Sequence, residues 1–431
     1  MKLDWDHFSD QPAVIRDKAL KKQIYNMGGV KKDLYKMLAT NLVMYPLCFL
    51  KYLLFPTKNV NADTREFFGM SINLDKHPEQ TRALVDDLGA DNLLIRMPLS
   101  DIENIEQYVA FAEQFKDKNL LINILQDRRH VEDLKLLSHS LNTVFIRLSP
   151  LTQRFQLGNA INRKKWAIFS MDEFLAFYKV GYELRNARFP DIKLLGSSVI
   201  DFEYYFSIRT LFNRQKVKYD QFSSLLYVDR RGAPENTQMG LDLLKKLRLM
   251  QAMLSLSPKS SNEIVITETN WPITNTHPYA PTSENDCVSL EDQADFLVRY
   301  YLLALASGVV KNVYWHQLIA PGYGLMDDRG DTLVKYPSYT AFKVMLSQLQ
   351  GATFEKLVQK SGVYCAQFSQ TDTEQNAKKI EVYWCNEPLA ADATRTISDT
   401  QSAVDVNGNL IKANSFSISG SPIYLTTKIT H

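Results

Sequence analysis

From residue 65 to about residue 350, short apolar runs alternate with longer amphipathic runs, and this alternation is the strongest constraint on the fold. A strand followed by a helix and another strand reads as a βαβ unit, because parallel strands need a crossover that a helix supplies. The predicted strands are Phe67–Asn73, Asn92–Pro98, Leu120–Leu125, Phe155–Asn159, Lys193–Ser198, Ser223–Asp229, Glu263–Glu268 and Asn312–Gln317. The helices between them carry end signals. Ser170 with Glu173 forms a capping box ahead of EFLAFYKVGYEL. Ser289 opens the run FLVRYYLLALA and Gly308 closes it. Eight such units over roughly 285 residues match a (β/α)₈ barrel, whose usual size is about 250. An open doubly wound sheet would carry a glycine-rich phosphate turn after its first strand, and Gly69-Met70-Ser71 leads into none.

The pattern changes on either side of this core. After Gln350-Gly351, segments such as GVYCAQFSQ and KIEVYWCNE alternate apolar with polar residues, and turn signals such as Asn407-Gly408-Asn409 separate them. Residues 352–431 therefore read as an antiparallel β domain, 65–351 as the barrel and 1–64 as an N-terminal helical segment. Within that segment, Leu42 to Phe55 is almost wholly apolar, broken only by Pro46 and Lys51. This run is shorter than the ~20 residues a spanning helix requires. Lysines 18, 21, 22, 31, 32 and 36 and Arg16 precede it, which suits a helix lying on an anionic inner-membrane surface. Packing on the barrel is the equal alternative.

Charge and cysteine usage exclude several classes. Fifty Lys and Arg against 48 Asp and Glu leave a net charge of +2, so no global field draws the chain to nucleic acid. Cys48, Cys287, Cys365 and Cys385 form no CxxC pair, against a zinc site or a disulfide framework. The start MKLDWDHFSD is acidic and polar where a secretory leader would be basic and then apolar. The expectation is a cytoplasmic protein, with peripheral contact to the inner membrane through 42–55.

Barrel enzymes build their sites from residues at the C-terminal ends of the strands, so those positions carry the functional reading. Strand two ends Leu94-Ile95-Arg96-Met97-Pro98 and brings Arg96 to the mouth, where a guanidinium holds a carboxylate ionised. Strand four ends Gln156-Leu157-Gly158-Asn159-Ala160. Tyr227 ends strand six. Strand seven ends Thr267-Glu268-Thr269-Asn270-Trp271, and a carboxylate ending a buried strand is costly unless it is paired or at work. Strand eight ends Tyr314-Trp315-His316-Gln317. Trp315 and His316 point in opposite directions, and Trp315 is the residue chosen to face the centre.

This set resembles the retaining (β/α)₈ glycoside hydrolases of the clan that includes β-xylosidases and iduronidases. The resemblance covers residues 65 to about 430 and extends to the tail, through Asp405-Val406-Asn407-Gly408-Asn409 and Ser421-Pro422-Ile423-Tyr424. It implies Glu268 as nucleophile, Arg96 as its supporting arginine, Asn159 as a partner of a sugar 2-hydroxyl and Trp315 as the platform under the ring. Tyr227, Trp271 and His316 complete the implied substrate contacts. The chain departs from the clan in one position. The acid/base glutamate follows the asparagine directly, and here Ala160 stands there. Retaining hydrolysis needs a second carboxylate about 5 Å from the first, and a methyl group donates no proton. Glu203, Asp229, Glu235 and His316 are the candidate substitutes, an acidic leaving group would need none, and a barrel that only binds sugar is the remaining reading. Neither metal nor organic cofactor is called for, because both steps are carboxylate chemistry and none of the seven histidines forms an HxH pair.

Overall fold

A computed structural model describes residues 3–54, 61–228, 232–371, 377–386 and 393–429. Its centre is a closed barrel of eight parallel strands: β1 (Phe68–Ile72), β2 (Asn92–Pro98), β3 (Asn119–Leu125), β4 (Arg154–Leu157), β5 (Lys193–Ile200), β6 (Gln221–Leu225), β7 (Ile264–Thr269) and β8 (Val310–Trp315). Closure comes from β1 and β8, which pair with Phe68 opposite Val313. Each strand lies on one predicted from the apolar runs, with ends displaced by a few residues. The sixth moves most: it begins at Gln221 and stops at Leu225, so Tyr227 stands on the loop beyond it.

The strands are buried on both faces, as in sheets wrapped by helices. Leu94, Leu121, Leu195, Val265 and Tyr314 fill the barrel interior. Their sequence neighbours Leu93, Ile95, Ile122, Leu194, Ile264 and Val313 join the larger core under the helices. Gly69 makes room for this filling, since a Cβ there would meet the Tyr314 ring at 2.5 Å. The predicted helix starts are observed. Ser170 Oγ accepts the amide of Glu173 at 3.2 Å, and Ser289 Oγ accepts that of Asp292 at 3.0 Å.

Behind the barrel lies an antiparallel sheet of Thr353–Lys360, Val363–Thr371, Ala377–Cys385, Ile423–Ile429 and Gln401–Val404, in that spatial order. Its outer edge is completed from the far end of the chain. Ala62 and Asp63, just before β1, pair antiparallel with Phe354 and Thr353. A buried cluster crosses the seam. Arg299 binds Glu235 through Nε at 3.0 Å and also through Nη2, Trp384 donates to Glu235 at 2.7 Å, and Arg299 reaches Asn386 at 2.9 Å.

The N-terminal segment forms α1 (Lys18–Asn26) and α2 (Gly28–Leu54). Phe55 lies outside the described residues, and residues 42–54 of the apolar run are the second half of a 27-residue helix, about 40 Å long at 1.5 Å per residue. Among the described residues it is the one helix long and apolar enough to cross a membrane. It is nevertheless docked. Buried Asp33 accepts from Arg209 Nη2 at 2.9 Å and from the Met171 amide at 2.6 Å, and Cys48 is fully enclosed. Away from those contacts the helix is apolar and uncovered on more than one face: Tyr35, Leu38, Leu42, Tyr45, Phe49 and Leu53 are exposed, and so are Val43, Leu47, Leu50 and Leu54.

Candidate active site

At the C-terminal end of the strands the barrel opens into a cavity of about 140 Å³, bounded by Trp166, Asp201, Tyr227, Glu268, His316 and Tyr323 among others. Glu268 is the last residue but one of β7 and is half-buried, its carboxylate facing this space. Tyr227 donates its hydroxyl to Glu268 Oε1 at 2.6 Å. Burial, and then the Glu268 charge, push the Tyr227 phenol well above its ordinary range, so it stays a neutral donor. The phenol hydrogen bond orients the Glu268 carboxylate towards the cavity.

Arg96 rises from β2, 6 % exposed, with its guanidinium 5.4 Å from the centre of the Trp166 ring. Nη1 pairs with Asp10, a residue of the N-terminal arm. Its Nε and Nη2 have no protein partner. His316 Nε2 stands 3.1 Å from the same Asp10 oxygen, and its ring stacks on Tyr323 at 5.7 Å. Tyr323 donates to the other oxygen of Asp10.

The remaining candidates separate. At the end of β8 the choice between neighbours reverses: His316 lines the cavity, whereas Trp315 is fully buried and stacks on Trp271, ring centres 6.0 Å apart. Trp271 is packed among Phe296 and Tyr300 in the helical layer and donates to Gly232 at 3.1 Å. Neither indole borders the cavity, because β8 turns its last residue outward and the following one in. Asn159 is buried outside the lining. Gln126 brackets its main chain and Asn123 donates to its Oδ1 at 3.2 Å, while Nδ2 finds no partner. Ala160 follows with a positive φ of 43° and packs with Leu125, Trp166 and Leu225 against Tyr227.

The suggested substitute acids fare differently. Glu203 is turned away from the cavity and bound to Asn162 at 2.6 Å and Arg163 at 2.8 Å. Its neighbour Asp201 borders the cavity instead, paired with Arg163 at 2.5 Å. Glu235 is enclosed at the seam with the β sheet and takes no part in the mouth. Asp229 lies outside the described residues. Sequence reasoning missed Asp10, Asp201 and Tyr323. Asp201 could have been found from its place one residue past β5, but Asp10 sits in an irregular arm that no strand-end rule reaches.

No family model matches the chain, and no curated protein matches it. Solved structures do. A family 39 glycoside hydrolase from the gut symbiont Bacteroides cellulosilyticus WH2 superposes with a TM-score of 0.64 at 16% identity, covering 86% of this chain and 82% of that one. A GH30 endoxylanase from Clostridium papyrosolvens C71 and a GH39 β-xylosidase from Caulobacter crescentus each give 0.58, at 12% and 11% identity, covering 86% of this chain and 98% of theirs. The chain thus has a glycoside hydrolase-like fold: a (β/α)₈ barrel with a C-terminal β domain.

Proposed function

We propose that this chain handles carbohydrate at the mouth of the barrel as a retaining glycosidase, with Glu268 as the nucleophile. The observation that carries this reading is the Glu268 carboxylate, exposed to the cavity at the end of β7 and held by the Tyr227 hydroxyl at 2.6 Å. In the first step a carboxylate oxygen of Glu268 attacks the anomeric carbon as the bond to the leaving oxygen breaks. In the second, water attacks from the face the leaving group vacated, the bond to Glu268 breaks, and the water proton passes to solvent or to the departed anion, so the anomeric configuration is retained. The Tyr227 hydroxyl aims the carboxylate, and the charge of Arg96 acts on it through space. Changing Glu268 to Gln is expected to abolish turnover of an activated aryl glycoside, and undiminished turnover would overturn the assignment.

One observation favours a second reading, a sugar-binding barrel without hydrolysis. The loop after Asn159 presents an apolar cluster around Ala160 rather than a proton donor, and general acid catalysis typically supplies about 10²–10⁴-fold. Azide with an activated glycoside separates the two. Rescue of turnover by the small anion identifies a glycosidase lacking only its acid/base, and absence of rescue alongside measurable sugar binding identifies a binder.

We further propose that α2 rests on an anionic membrane surface on the cytoplasmic side. The exposed apolar surface from Tyr35 to Leu54 supports this, as does the basic stretch that precedes it. The Asp33–Arg209 pair ties the first half of the helix to the barrel, which favours lying on a bilayer over spanning it. Sedimentation with vesicles containing phosphatidylserine, with neutral vesicles as control, tests it.

A further inference from the structure

Residues 3–17 run across the cavity mouth as an arm. Within it the amide of Asp6 bonds the carbonyl of Pro12 at 2.9 Å, and the amide of Phe8 bonds Asp6 Oδ1 at 3.1 Å, so the arm is a compact turn. Among the described residues its main-chain bonds stay within the arm and the start of α1. Side chains alone tie it to the barrel: Trp5 to Ser100 at 3.3 Å, His7 near Asp101 at 3.9 Å, and Asp10 at the centre. Asp10 is met by three groups that are each at least nine-tenths buried. Arg96 and His316 share one of its oxygens, and Tyr323 takes the other.

We infer that Arg96, His316 and Tyr323 form a carboxylate subsite for an acidic saccharide, and that Asp10 is the chain's own stand-in, closing the site until the sugar displaces it. The inference rests on the reading of the cavity as a sugar site and adds the class of sugar. A guanidinium, an imidazole and a phenol converging on one point are an expensive arrangement to bury without an acceptor. The arm supplies that anion from a segment with no main-chain anchor on the barrel, as a replaceable occupant would. Glu268 and Tyr227 border the same cavity, so a ring whose carboxylate replaced that of Asp10 would lie beside the nucleophile. Asp10 is a poor choice for the missing proton donor. Burial opposes its charge, but His316 and Arg96 outweigh this and hold its carboxyl well below the ordinary range, whereas a general acid must carry its proton at working pH.

The test is binding of D-glucuronic acid and D-glucose by the full chain and by its Asp10→Ala and Asp10→Asn variants, followed by calorimetry. A ligand that competes with an internal occupant gains apparent affinity when that occupant is removed, so glucuronate should bind both variants about 10-fold or more tighter than the parent, and glucose equally to all three. Equal gains for the two sugars would make the arm a steric cover only and overturn the subsite. Weaker glucuronate binding by the variants would make Asp10 part of the ligand site and overturn it as well. The same gain for inorganic phosphate would overturn the acidic saccharide as its ligand. Limited trypsin digestion of the parent chain needs no variant: glucuronate should speed cleavage between Arg16 and Lys22, glucose should not, and equal rates overturn the displacement. Hydrolysis enters none of these readings. Loss of turnover with glucuronate discrimination retained therefore rejects the glycosidase, whereas turnover without discrimination rejects only the subsite.

Discussion

Two buried arginine–carboxylate clusters, one at the seam with the β sheet and one at the barrel mouth, differ in how completely their polar atoms are matched. At the seam, Arg299 spends its donors on Glu235, Asn386 and the Gly420 carbonyl, and Glu235 also accepts from Trp384. Such a cluster is closed, and its chemistry is exhausted by holding two layers together. At the mouth, Arg96 leaves Nε and Nη2 unmatched, and Asn159 Nδ2 is unmatched behind the lining. Buried polar groups are normally paired, so a concentration of unpaired ones marks a place prepared for something else. A carboxylate near the end of a barrel strand is thus scaffold or site according to what remains unbonded around it.

Substitutions should separate the two clusters. The largest effect is expected from Glu268→Gln, which should lower turnover by on the order of 10³-fold or more while shifting the melting temperature little. A large loss of stability there would break the distinction. Glu235→Gln should do the reverse, since leaving Arg299 buried and uncompensated costs about 3–5 kcal/mol. Urea unfolding measures that loss, and activity per folded molecule should be unchanged. Tyr227→Phe removes one hydrogen bond to a charged group, worth about 1.5–3 kcal/mol. It should appear in kcat rather than in the unfolding midpoint.

The smallest effect concerns pH at the seam. Burial pushes the Asp295 carboxyl up from 3.8 to about 6, although the Ser421 hydroxyl donates to it at 2.8 Å. The folded form keeps this proton to higher pH than the unfolded chain does. The group therefore weakens the fold progressively between those two values, and at a constant level above them. Asp295→Asn should accordingly stabilise by about 1–2 kcal/mol at pH 7 and by nothing at pH 3.5, read from thermal melts at both.

What the sequence disclosed follows from what each feature depends on. The eight strands were legible because both faces of each are buried, and such strands read as unbroken apolar runs. Glu268 was legible because it ends one of them. Trp315 and His316 were not separable, since their alternation is known from sequence but its phase is set by how the chain leaves β8. Glu203 and Asp201 posed the same problem across a turn. Glu235 and Glu268 look alike until Arg299 and Trp384, 64 and 149 residues distant from Glu235, are brought to one of them. Asp10 was beyond reach for a different reason: its partners are 86 and 306 residues away, and the arm has no periodicity to register.

The short pairing of Ala62–Asp63 with Thr353–Phe354 ties the point where the chain enters the barrel to the point where it leaves. Entry and exit therefore act as one knot in the chain path. Cutting the protein after residue 352 would leave Ala62–Asp63 at the barrel's threshold without their partner strand as well as remove the tail, so the two lobes should melt in a single transition.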